Sequence, residues 1–100
     1  MYDFVIRWER MILVVKEVVW DEFNVSHIER HAVTTDEVEE ICSGKVEARL
    51  GHSDRFMVIG KTAASRILII VPAQKREGVF YPVTARDVSR KERRWIKSNE

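Results

Sequence analysis

The residues of this chain with the types and spacing for chemistry gather around Arg86. An apolar run from Val79 to Ala85 ends in that arginine, and Ser89 then opens a segment where Arg90, Arg93, Arg94 and Lys97 recur at i, i+3, i+4 and i+7. On a helix that spacing makes one cationic stripe, and Lys91 adds to the positive charge. Ser89 and Glu92 have the spacing of a capping box, which predicts a helix starting at Arg90. Cations at a helix start oppose its dipole by about 0.3 to 1 kcal/mol each, a cost consistent with an anionic partner. Guanidinium groups grip phosphate through paired N–H donors. With Arg86, Arg55 and Tyr81 expected near one end of a sheet, the set suits RNA: a ribonuclease without a metal needs cations around the pentavalent phosphorane. A solvated charged face is the plainer explanation of the stripe alone.

Other constellations are weaker. His27 and His31 share a helix face at i and i+4, but Glu29 lies at i+2, about 200° around the helix, where the glutamate of an H-E-x-x-H metalloprotease would not sit. No metal site and no cofactor are expected. Either histidine could move a proton near neutral pH, with about 6.5 as its ordinary pKa. His31 could equally be a helix-end residue bonded to last-turn carbonyls. Cys42, the only cysteine, falls on an apolar stripe rather than in a nucleophile setting, and excludes an internal disulfide. The four glycines form no phosphate loop.

These residues need a scaffold, and the chain has the length and composition of one. One hundred residues, 45% hydrophobic and 33% charged, fit a single folded domain over 1–100. Residues 1–50 carry 6 Lys+Arg against 11 Asp+Glu (6 − 11 = −5), and residues 51–100 carry 11 against 5 (11 − 5 = +6). An acidic half thus joins a basic half. No apolar run approaches the roughly 20 residues of a membrane span, so no membrane segment or signal peptide is expected and a cytoplasmic location is.

Residues 1–10 show no clear period and read as an extension. Met11 to Trp20 predicts the first strand; Asp21 caps a helix from Glu22 to about His31. Thr34 and Glu37 form a second capping box, with Val38, Ile41 and Cys42 facing inward and Gly44 as the left-handed stop. Alternation then predicts a strand at Val46–Leu50, a turn at Gly51–Asp54 and a strand at Arg55–Lys61. Ile67–Val71 is the fourth strand, ended by Pro72; Ala73–Gly78 form a loop. Val79–Ala85 is the fifth, which Pro82 restricts to an edge or a bulge. Arg55–Lys61 and Ile67–Val71 are apolar on both faces and should lie centrally. The order predicts an α+β fold: about five strands, mainly antiparallel, with two N-terminal helices and one C-terminal basic helix.

Four fragments in order, Trp20-Asp21-Glu22 with Asn24, His27-Ile28 with Arg30-His31-Ala32-Val33, Arg55-Phe56-Met57-Val58-Ile59-Gly60, and Val83-Thr84-Ala85-Arg86 with Ser89-Arg90-Lys91-Glu92-Arg93-Arg94, resemble the BrnT toxins of bacterial type II toxin–antitoxin systems. The resemblance covers about Lys16 to Lys97. It implies a RelE-like fold and a metal-independent endoribonuclease that stops translation. The implied partners are RNA and a BrnA-like antitoxin, which neutralises the toxin and alone contacts operator DNA. By the likeness His31, Arg55 and Arg86 are the expected catalytic residues. Tyr81 stands where an arginine is frequent and joins them, while Arg90, Lys91, Arg93, Arg94 and Lys97 would bind RNA. Ala32 replaces the usual glycine, so the helix end is expected not to need a positive φ. Tyr81 and Ala32 also leave a second reading open: an inactive toxin-like protein serving as a protein- or RNA-binding module.

Overall fold

A computed structural model describes residues 6–51 and 55–98. Among them six strands form one sheet: β1 (Ile6–Val15), β2 (Glu17–Val18), β3 (Gly44–Gly51), β4 (Phe56–Lys61), β5 (Ile67–Arg76) and β6 (Val79–Asp87). Their spatial order is β1-β3-β4-β5-β6-β2. Every neighbouring pair is antiparallel except β2 with β6, which is parallel. The helices are α1 (Glu22–Glu29), α2 (Thr35–Ile41) and α3 (Arg90–Ser98).

The predicted α+β class and mainly antiparallel sheet hold, and the differences lie in extent. Residues 6–10, read as part of an extension, belong to β1. The chain bends at Lys16, so the expected strand Met11–Trp20 divides between β1 and the short β2. Charges at Arg7, Glu9 and Arg10 interrupt the apolar pattern of a strand that lies at the margin of the sheet among the described residues. β5 runs through Pro72 to Arg76 rather than stopping at Pro72, because a register shift between Val71 and Pro72 accommodates the proline. Pro82 faces that same irregularity, opposite Pro72, and β2 covers β6 only at Val79 and Phe80. Of the expected turn at Gly51–Asp54, Gly51 belongs to β3 and the other three residues lie outside the described residues.

Local chemistry explains the helix starts. Asp21 accepts from the backbone N–H groups of Phe23 and Asn24 at 2.9 and 3.0 Å, and the Asn24 side chain accepts from the Asp21 N–H at 2.8 Å. Thr34 and Glu37 exchange the same pair of bonds at α2, and Ser89 with Glu92 at α3. α1 ends at Glu29, two residues before the predicted end. There the chain turns through Ala32, whose φ of 56° corrects the expectation that an alanine frees this corner from the left-handed region. Gly44 after α2 has the expected left-handed φ of 67°.

Two apolar layers flank the sheet. Ile28, Val33, Val38 and Cys42 pack over Val46, Ala48, Val58, Leu68, Ile70 and Ala85. On the other face Met57, Ile69 and Val88 form a smaller cluster with Ile59, Ile67, Val71 and Ile96 of α3. Helices on both faces account for the continuous apolar runs of β4 and β5, which lie in the middle of the sheet.

Candidate functional site

The junction between β6 and α3 is built on an ion pair between a half-buried arginine and a buried carboxylate. Arg86 donates from Nη1 and Nη2 to the two carboxylate oxygens of Glu92, each at 2.7 Å, and from Nη1 to the Asp87 carbonyl at 3.1 Å. The Ser89 N–H also donates to Glu92 at 2.8 Å. Glu92 is 2% exposed. Burial alone would raise its pKa, but Arg86 and the Ser89 N–H hold it below the usual carboxylate value, while Glu92 raises that of Arg86. The arginine expected to grip phosphate therefore has both terminal nitrogens on a carboxylate, fastening α3 to the end of β6.

A second arginine, Arg66, organises the same end of the sheet. Its Nε and Nη2 donate to the Asp87 carboxylate at 2.8 and 3.0 Å, and its Nη1 donates to Glu37 at 3.0 and 3.2 Å. Nη1 also reaches the Ala32 carbonyl at 2.6 Å and Nη2 the His31 carbonyl at 3.1 Å. One guanidinium thus joins the α1–α2 corner, the start of α2 and the end of β6. The corner's left-handed turn is what aims both carbonyls at it. Arg66 holds Asp87 below the ordinary carboxylate range, with Arg93 and His31 acting in the same direction. Glu37 is held down by the Thr34 N–H and then by Arg66. Sequence reasoning missed Arg66 and Asp87, because their partners are distant in the chain.

His31 is exposed at this corner, its ring 5.6 Å from that of His27. Arg66 bonds both the His31 carbonyl and the Asp87 carboxylate, three residues before α3 begins, so His31 and the start of α3 lie at the same end of the sheet. Arg90, Lys91, Arg93, Arg94 and Lys97 are all exposed. Glu92 is buried and Ile96 packs against the sheet, four residues apart on the inner side, which turns the predicted stripe outward.

Arg55 and Tyr81 are not part of this cluster. In the β5–β6 register Arg86 faces Ile69 and Tyr81 faces Ala73, so the two lie five residues apart along β6, about 15 Å at the usual strand rise. Continuing the β4–β5 register places Arg55 level with Ala73, near the Tyr81 end. The expectation that Arg55, Tyr81 and Arg86 share one end is corrected by this register. Tyr81 donates its hydroxyl to Asp21 at 2.9 Å and carries the Lys75 ammonium 5.1 Å from its ring centre. Burial and then Asp21 raise its pKa, which disfavours the phenolate. Arg55 is exposed and makes no ion pair among the described residues, beside an open depression lined by Phe56, Val71, Pro72, Ala73, Gln74 and Val83.

Cys42 is buried, its thiol pushed up to about 12 by that burial, an inert setting for a nucleophile. Among the described residues no group of three or more His, Cys, Asp or Glu side chains is arranged to hold a metal ion, and no helix is long and apolar enough to cross a membrane. Comparison with protein families, curated proteins and solved structures finds no match to this chain.

Proposed function

We propose that this protein is a BrnT-like toxin of RelE-like fold: a cytoplasmic, metal-independent endoribonuclease that inhibits translation and is neutralised by a BrnA-like antitoxin. The observation that carries this reading is the outward cationic face of α3, Arg90, Arg93, Arg94 and Lys97, beside the exposed imidazole of His31. The motif resemblance around those residues supplies the chemistry. In the reaction, His31 takes the proton of a 2′-hydroxyl, the 2′-oxygen forms a bond to the adjacent phosphorus, and the bond from phosphorus to the 5′-oxygen breaks as that oxygen takes a proton from water, leaving a 2′,3′-cyclic phosphate. Cations of α3 neutralise the phosphate as its charge rises. Arg86 serves as a positioning residue through Glu92 rather than as a phosphate ligand.

A second reading has its own support. Arg86 is held by Glu92 and Tyr81 by Asp21, so two of four expected catalytic groups are engaged elsewhere, as suits an RNA- or antitoxin-binding module without catalysis. The two readings separate in one experiment: titration of single-stranded RNA at several salt concentrations, with product analysis in EDTA. Both predict binding that weakens steeply with salt and a shallower slope when Arg93 and Arg94 become alanine. Cleavage by the wild-type protein selects the toxin; salt-sensitive binding with intact RNA selects the module; no binding refutes both as RNA-directed readings.

A further inference from the structure

Among the described residues β1 is an outer strand of the sheet, paired with β3 on one side only. Long exposed edges invite another strand, and proteins usually guard them with charges, prolines or bulges. The first half of β1 has such guards: a register shift between Ile6 and Arg10, and Arg10 itself, ion-paired to Glu47 at 3.1 Å. Met11-Ile12-Leu13-Val14-Val15 has none. Met11, Leu13 and Val15 turn toward the main core, whereas Ile12 and Val14 are 62% and 48% exposed. Among the described residues only Phe23 is another large apolar side chain so open to water.

We propose that this segment pairs antiparallel with β1 of a second copy, around a two-fold axis at Leu13 that joins the two sheets edge to edge. The pattern of the strand is self-complementary about that residue. Directly opposed residues of antiparallel strands lie on one face, so Ile12 meets Val14 of the other copy and Met11 meets Val15, exposed side against exposed side and core side against core side. Charge on the neighbouring strand selects this register. Glu47 lies opposite Ile12 and Lys45 opposite Val14 on β3. With the axis at Leu13 each outer row reads Glu47, Ile12, then Val14 and Lys45 of the second copy, bracketed by opposite charges, and the symmetry repeats it. Shifting the axis to Ile12 brackets the central row with two Glu47 side chains, and shifting it to Val14 brackets it with two Lys45. A one-residue slip of the partner strand instead opposes residues from different faces. Closed two-fold pairing also removes the open edge, which an end-to-end array would not.

Sedimentation equilibrium of the full chain over a concentration series tests the pairing. The wild-type protein should fit a monomer–dimer equilibrium, and Ile12→Lys/Val14→Lys, which changes only exposed positions, should sediment as a monomer with unchanged circular dichroism. At low ionic strength Glu47→Lys and Lys45→Glu should each weaken the dimer several-fold, and the two together should restore it. A wild-type monomer at every concentration, or a dimer that survives the double lysine variant, overturns the interface. A dimer indifferent to all the charge variants overturns the Leu13 register.

Discussion

Replacing Arg86 with alanine should destabilise the protein more than replacing its partner Glu92 with glutamine. Glu92 is 2% exposed and depends on two Arg86 N–H donors at 2.7 Å and the Ser89 N–H at 2.8 Å. Removing the guanidinium leaves a buried carboxylate with one strong donor. Breaking a buried pair in this way costs about 3 to 5 kcal/mol; because the Arg86 side chain is itself 35% exposed, water can reach the site and about 2 to 3 kcal/mol is the expected loss. Glu92→Gln keeps an acceptor for Ser89 and leaves behind a guanidinium that water can solvate, so about 1 to 2 kcal/mol is expected. The double replacement Arg86→Met/Glu92→Met should cost less than Arg86→Ala alone, since neither charge is then left buried. Urea titration followed by circular dichroism measures each value, and the Arg86→Ala loss corresponds to about 10 to 20 °C in Tm for a domain of this size. Its deficit should narrow as pH falls, because burial without Arg86 raises the pKa of the orphaned carboxyl. An Arg86→Ala protein within about 0.5 kcal/mol of wild type, or more stable than Glu92→Gln, would refute the fastening role.

What could be read from sequence was local. The capping residues Asp21, Thr34 and Ser89 were legible because each acts within four residues of itself, and the cationic stripe of α3 because helical spacing alone defines it. Glu92 reads from its spacing as a cap, but its grip on Arg86 depends on how α3 folds back over β6. Arg66 carried no local signal, since its partners come from the α1–α2 corner, α2 and β6. The relation of Tyr81 and Arg55 to Arg86 is a matter of strand register and of a bulge beside Pro72, neither of which a hydrophobic pattern specifies.

Two further perturbations follow from the same contacts. Glu37, Asp87, Glu92 and Asp21 all have folded-state pKa values below their unfolded ones. Their stabilisation is therefore fully present above the unfolded values of about 4 and is lost as pH falls through the folded ones, so urea midpoints should change little from pH 7 to about 5 and then drop. A midpoint that rises on acidification below pH 4 would contradict this sign. Ala32→Gly should raise stability by about 0.5 to 1 kcal/mol in the same titration, because glycine accepts the φ of 56° without strain; a loss of stability would mean that this corner is not left-handed in solution.

Cleavage of single-stranded RNA in EDTA, with wild-type protein and His31→Gln side by side, tests the central claim most directly. Fragments ending in a 2′,3′-cyclic phosphate from the wild type, with a large loss of rate in His31→Gln at unchanged RNA affinity, are the predicted result. Intact RNA after prolonged incubation with the wild-type protein, or equal cleavage by both proteins, would contradict it.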